Sequence, residues 1–243
     1  MAWKARTLEH DTHRLDTVII DASGTLVMDD EAVATALVEA LGVFGGMSGS
    51  ELMHDGLSFV AHTRGLPVLS VLRSLLGDED RAQYAYRAFE LALPSVLAQG
   101  GIRATPRAED ALAALRQAGR RVCLMSRYTQ PGIDAMIDAL GWHEYIDLAV
   151  APAPGTRTPP HPDLVLNAIV RMGVTAVHEV ALVAESANAL VAGTRAGASA
   201  VVGVLTGAHA LTELECIPHT HVVESVADVP ALLDVVSTRV HAA

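Results

Sequence analysis

The chain has 243 residues, 51% of them apolar, with 17 basic and 28 acidic side chains and a formal net charge of −11. That apolar content excludes a disordered chain, and no stretch approaches 18 uninterrupted apolar residues, so no membrane span is expected. The charge balance and the lack of a basic run exclude nucleic acid as an expected partner, and a sole lysine, Lys4, nearly closes the route to Schiff-base chemistry.

Residues 1–14 mix charges and lack an apolar signal core, and Cys123 and Cys216 sit in apolar surroundings without CxxC spacing. This pattern predicts buried thiols in a cytoplasmic protein. The first strong element is the β-branched run at 16–20, broken by Asp21-Ala22-Ser23-Gly24-Thr25, which reads as a buried strand followed by a glycine-containing turn. Between Asp29 and Gly101 the apolar residues keep helical spacing: Val33, Leu37, Val38 and Leu41; then Val68, Leu69, Leu72 and Leu76; then Tyr84, Ala88, Leu91 and Leu93. A crossover between parallel strands needs one helix, so three or four in succession predict an all-helical insertion.

From residue 107 onward, helices and strands alternate. The helices are predicted at 108–118, 131–140, 162–172, 188–196 and 229–236, the first four stopped by Gly119, Gly141, Gly173 and Gly197. The strands are predicted at 121–125, 146–150, 180–184, 200–205 and 221–223. The expected fold is α/β: a Rossmann-like parallel sheet core formed by 15–28 and 102–243, with a helical cap at 29–101 inserted after the first strand.

In an open parallel sheet, ligands bind beyond the carboxyl ends of the strands, at the switch in strand order. The residues there are Asp21, Ser23 and Thr25 after the first strand and Ser126 and Arg127 after the second. Arg157 follows in the loop 151–162 with its five prolines, and Glu185, Ser186 and Asn188 after the next strand. Each one alone fits a turn or an N-cap. Together they place a carboxylate nucleophile, hydroxyls, a guanidinium and a second acid at one end of the sheet. His209, in the loop after 200–205, falls at the same end. His219 and His221 read as a surface turn rather than a metal site, and Trp142 and Tyr145 as packing a helix end against the sheet. The chain contains no GxxxxGK[ST], GxSxG or HExxH.

These stretches resemble the haloacid dehalogenase superfamily, specifically its phosphonoacetaldehyde hydrolase-like branch. The resemblance is carried by the run from Val18 to Val27 with helices inserted directly after it, by Leu124-Met125-Ser126, by Pro162-Asp163-Leu164-Val165-Leu166, and by the runs at 192–198 and 201–209. It implies that Asp21 attacks phosphorus or carbon and forms a covalent aspartyl intermediate, with Mg²⁺ beside it and the Ser23 carbonyl as a second metal-facing group. It also implies that Ser126 holds a phosphoryl oxygen, that Thr25 buttresses the loop, and that Glu185 stands where a metal-binding Asp is expected. The sequence departs from the family pattern at Ser23, where a general acid/base Asp is common, and at Phe59, where the branch places a cap lysine. It departs again at Pro159, before Pro160-His161-Pro162-Asp163, where Lys or Arg is expected, and at Ala189, in place of a second metal-binding Asp.

The expected catalytic set is Asp21, Ser23, Thr25, Ser126 and Arg127, with Phe59, Arg157 and His209 toward substrate and Mg²⁺ between Asp21 and Glu185. Two functions stand open: a hydrolase or repurposed enzyme acting on a small metabolite beneath the cap, or a degenerate relative that binds a ligand or protein without turnover. The expected partners are a small-molecule substrate and, through the cap, a second copy of the chain.

Overall fold

The computed structural model describes residues 14–42, 44, 68–153, 155–207 and 211–239; Phe59 and His209 lie outside them. The chain enters through β1 (Thr17–Asp21), leaves the sheet at β2 (Val27–Met28) and returns at β3 (Arg103–Ala104), which pairs antiparallel with β2. The remaining strands are β4 (Arg121–Met125), β5 (Leu148–Val150), β6 (Val180–Ala184), β7 (Ala200–Val204) and β8 (His221–Val223). With β1 they form one six-stranded parallel sheet in the order β5-β4-β1-β6-β7-β8.

Alternation along β1 explains why its sequence is apolar throughout. Val18 and Ile20 pack into one core cluster, Ile19 into another on the opposite face, and all three are fully buried. A parallel sheet covered on both faces has no solvent side to code with polar residues. The second cluster sits under α6 (Asp163–Arg171) and α7 (Ala187–Ala196). There Gly193 lies so near β6 that a Cβ would stand 2.6 Å from Leu182 Cδ2, so that glycine sets the spacing between helix and strand.

Between β2 and β3 the described residues form α1 (Asp30–Gly42), α2 (Val68–Leu76) and α3 (Glu79–Gln99). Asp78 caps α3 by accepting the Arg81 N–H, and Glu79 and Asp80 complement the positive helix end. The buried stripe of α3 is Ala82, Ala85, Phe89, Leu93, Val96 and Leu97, while Tyr84 and Leu91, expected inside, are 59% and 81% exposed. Alanines account for the difference. Ala82 and Ala85 on α3, with Ala32, Ala34, Ala36 and Ala40 on α1, belong to the same core cluster, so small side chains occupy positions where size-weighted periodicity looks for large ones. Leu93 also reaches the helix α5 (Gln130–Leu140) beside Gly132, which seats α3 against α5.

On the core side the predicted strands 121–125, 180–184 and 221–223 match the observed ones, and the helices α4 (Ala108–Gln117) and α9 (Val229–Arg239) stand where expected. The two-residue strands β2 and β3 and the short helix α8 (Leu211–Leu214) are too brief to leave a periodic pattern. Cys123 is buried, whereas Cys216 is exposed, because it follows α8 on a surface turn, where its thiol meets the Thr212 carbonyl. Trp142 is fully buried at the end of α5, with its N–H directed at Glu109. No helix among the described residues is long and apolar enough to cross a membrane.

Candidate active site

β1 lies between β4 and β6, so the chain's crossovers part to either side of its carboxyl end, where Asp21 stands. The turn after Asp21 is held tightly. Leu26 and Val27 donate to the Ala22 carbonyl, Gly24 donates to Val27, and Gly24 takes a φ of 74° that suits glycine. Three neighbours then fasten this loop to the core. Thr25 Oγ1 accepts the Glu185 N–H at 3.0 Å, Thr105 Oγ1 donates to the Thr25 carbonyl at 2.9 Å, and Thr206 Oγ1 donates to the Gly24 carbonyl at 2.8 Å. Thr25, fully buried, thus braces the loop and does not reach a ligand.

Asp21, Ser23, Ser126, Arg127 and Glu185 converge on one cavity of about 300 Å³. Burial, then the Glu185 carboxylate, then Asp29, push the Asp21 carboxyl up to about 7, while Arg127 and the Ala22 N–H pull it down. Arg127 is half-buried. Its Nη2 donates to the Tyr128 hydroxyl at 3.1 Å, and its Nε, shut off from solvent, has no hydrogen-bond partner among the described residues. Burial works against its charge, but Tyr128, Asp29 and Asp21 outweigh it and hold the guanidinium protonated.

A buried network that the sequence did not announce lies behind these groups. Asp29, 3% exposed, accepts from the Ser23 hydroxyl at 2.6 Å and from the Tyr128 hydroxyl at 2.8 Å through the same oxygen, Oδ2. Burial pushes the Tyr128 phenol well above its ordinary range. The Ser126 hydroxyl accepts the Tyr128 N–H at 3.0 Å, leaving its own proton available to a ligand in the cavity.

Glu185 is enclosed by two glycines. A Cβ on Gly24 would stand 2.6 Å from Glu185 Cγ, and one on Gly207 would collide with the carboxylate. The longer acid therefore has room because two glycines leave it. Ser186 caps α7 by accepting the Ala189 N–H, and Ala189, where a second acid was expected, lines the cavity.

Arg157 stands elsewhere. Its Nε and Nη2 hold the Asp163 carboxylate in hydrogen bonds of 2.7–3.2 Å, with the arginine side chain 63% exposed. Thr158 and Pro159 of the same loop line the cavity and Arg157 does not. A carboxylate in the first turn of α6 offers this guanidinium a two-pronged partner at the surface, and the expectation that it faces substrate is corrected accordingly.

Asp21 and Glu185 bring two hard oxygen donors to one place. Among the described residues no three His, Cys, Asp or Glu side chains form a metal cage. Mg²⁺ is commonly held by one or two carboxylates together with water and substrate phosphate, so this donor set fits it, and a cation there would relieve the Asp21–Glu185 repulsion.

The chain is 24% identical over 216 residues to Probable phosphatase IndB of Dickeya dadantii (strain 3937), a match covering 87% of this chain and 90% of that one. A haloacid dehalogenase-like family hydrolase of Streptococcus pneumoniae superposes with a TM-score of 0.74 at 15% identity, over 89% of this chain and 97% of that one. CbbY of Rhodobacter sphaeroides, solved in complex with phosphate, superposes with a TM-score of 0.70 at 20% identity, over 90% and 99%. The model of one family, described as haloacid dehalogenase-like hydrolase, matches residues 15–197. Most of the chain lies within that match, and the protein belongs to the haloacid dehalogenase-like hydrolase family.

Proposed function

We propose that the protein is a phosphatase that hydrolyses a small phosphorylated metabolite through Asp21. The observation that carries this reading is the placement of Asp21 at the switch point, facing a cavity it shares with Arg127, Ser126 and Glu185. In this reading an Asp21 carboxylate oxygen bonds to phosphorus as the bond from phosphorus to the ester oxygen breaks, and the organic part departs as the alcohol with a proton taken from water. Water then attacks the same phosphorus, the bond to Asp21 breaks, and inorganic phosphate and the free carboxylate are restored. Arg127 and the Ser126 hydroxyl bind phosphoryl oxygens, whose charge they offset. Asp21 and Glu185 would hold Mg²⁺, which would supply further neutralisation of the phosphate.

Arg127 thus fills the cationic role that the family pattern expects from the loop at 157–163. The likeness to the phosphonoacetaldehyde hydrolase-like branch is one of fold in this reading, because the branch's Schiff base needs a lysine and Lys4 is the chain's sole one. No observation favours a binder without turnover over this reading.

The test is a panel of phosphomonoesters with Mg²⁺, run on the wild type and on Asp21→Asn. The expected result is phosphate release by the wild type, a phosphoryl mass gain on the Asp21 peptide after rapid quenching, and loss of both in the variant. Turnover that survives Asp21→Asn overturns the proposal.

A further inference from the structure

The chain has only nine aromatic residues: two Trp, four Tyr and three Phe. Three of them, Tyr86, Phe89 and Tyr128, line the cavity above Asp21. They form a row. The rings of Tyr86 and Phe89, one turn apart on α3, lie 6.4 Å apart at 24°, and Phe89 and Tyr128 follow at 6.3 Å. The row runs from the cap into the core and ends where the Tyr128 hydroxyl meets Arg127 and Asp29. Phe89 and Tyr128 are buried, while Tyr86 is half-buried, so Tyr86 offers the ring surface that an incoming group meets.

The other described residues that line this side are two apolar ones, the hydroxyl-bearing Ser70 and one arginine. Val68 and Leu69, at the start of α2, line the cavity too, and the one cation there among the described residues, Arg73, is held by both Glu79 carboxylate oxygens at 2.7 Å. Hydroxyls of a compact polyol placed against the ring faces and aliphatic side chains would lose water without gaining partners there. A planar ring would instead find aromatic neighbours at the centroid spacings of 4.5–7 Å that offset and edge contacts favour.

Resting on the phosphatase reading, we infer that this site takes a phosphomonoester whose organic part carries an aromatic or heteroaromatic ring next to the phosphate. A cavity of about 300 Å³ is at the small end of ligand sites, which suits one or two fused rings with the phosphoryl group at Asp21.

The experiment compares benzyl phosphate and 2-naphthylmethyl phosphate with glycerol 3-phosphate and 2-phosphoglycolate, using the full chain with Mg²⁺. All four release alcohols, so the comparison reads the ring and not an acidic leaving group. The ring esters are expected to show kcat/KM at least about ten-fold higher, with the gain residing in KM, and Tyr86→Ala to lower kcat/KM for the ring esters several-fold more than for glycerol 3-phosphate. Tyr86→Leu, which keeps apolar volume but deletes the ring, is expected to behave the same way and serves if the alanine variant fails to fold. Equal or lower kcat/KM for the ring esters, with turnover still dependent on Asp21, overturns the ring inference and leaves the phosphatase reading standing. If no ester is turned over, the phosphatase reading falls. Calorimetric titration of Asp21→Asn with 2-naphthylmethyl phosphate and glycerol 3-phosphate then decides the ring question by itself: tighter binding of the ring compound upholds it and equal binding overturns it.

Discussion

The loops after β4 and β5 each deliver one arginine at the carboxyl end of the sheet, and the two meet opposite fates. Arg127 turns inward beside Asp21, Asp29 and Tyr128, whereas Arg157 turns outward and closes on Asp163. Both lie where strand topology says a ligand-facing residue belongs. The difference comes from the partners each loop supplies. Beside Arg127 stand the carboxylates of Asp29 and Asp21, whose charges favour the guanidinium there. Beside Arg157, the first turn of α6 presents a carboxylate at the surface, and a solvated two-pronged pair avoids the cost of desolvating an arginine. Strand ends select positions, and local charge decides which side chain enters the site.

Removing the inner arginine is the harshest way to break this contrast. Arg127→Met is expected to lower kcat by about 10²–10³, the usual loss when a group that offsets developing charge is deleted. It also removes a positive neighbour that draws the Asp21 carboxyl downward, so the rising limb of the pH–rate profile should move to higher pH. A small loss, with an unmoved limb, would show that Arg127 does not serve the reaction. Arg127→Lys keeps charge without the planar fork and is expected to fall between the two.

The sequence disclosed the sheet more fully than the site. β4, β6 and β8 were legible to the residue because strands buried in a parallel sheet are short apolar runs bounded by polar turns. Asp21, Ser126, Arg127 and Glu185 were legible because topology puts strand ends together. Asp29 and Tyr128 were not. They lie 99 positions apart and meet through a hydrogen bond between hydroxyl and carboxylate that no spacing rule anticipates. The one available signal was Tyr128, close behind the strand end at Met125 already singled out. The direction of Arg157 was hidden for the same reason, since Asp163 looked like the start of a helix and not like a partner.

The slot around Glu185 gives a second, smaller effect. Gly207→Ala sets a methyl against the Glu185 carboxylate, and overpacking of this kind costs about 1–3 kcal/mol. The acid must then shift, so calorimetric titration with Mg²⁺ alone should show weakened binding. In a Glu185→Ala background the same substitution should cost little stability, because the methyl now has space. Equal costs in both backgrounds would mean that Gly207 serves the loop and not the acid.

Asp21→Asn tests how far Arg127 answers the acids around it. In metal-free protein the Asp21 carboxyl keeps its proton until about pH 7, whereas an aspartate in an unfolded chain loses it near pH ~4. Between those values the folded state binds the extra proton, so stability falls as pH rises through 7. Asparagine has no proton to lose. The thermal midpoint of Asp21→Asn should therefore match the wild type at pH 4 and exceed it at pH 8. A gap that stays constant across this window would mean that Arg127 already neutralises the effect of Glu185 and Asp29 on Asp21.

The smallest effect is expected at the outer arginine, and it completes the contrast. Arg157 is exposed, its ion pair is screened by solvent, and the cavity is lined by its neighbours Thr158 and Pro159 and not by its own side chain. Arg157→Ala should leave kcat/KM within about two-fold of the wild type and scarcely move the thermal midpoint, as is usual for a solvated ion pair. Asp163→Asn supplies the sharper arm, because it frees the guanidinium without deleting it. If Arg157 were drawn inward once Asp163 let go, the variant would bind phosphate more tightly than the wild type, and Arg157→Ala/Asp163→Asn would lose that gain. Unchanged phosphate affinity in Asp163→Asn would instead mean that the loop's course, set by Thr158 and Pro159 against the cavity, holds the arginine outside whatever its partner, and that Arg127 remains the sole cation from these two loops that serves the phosphoryl group.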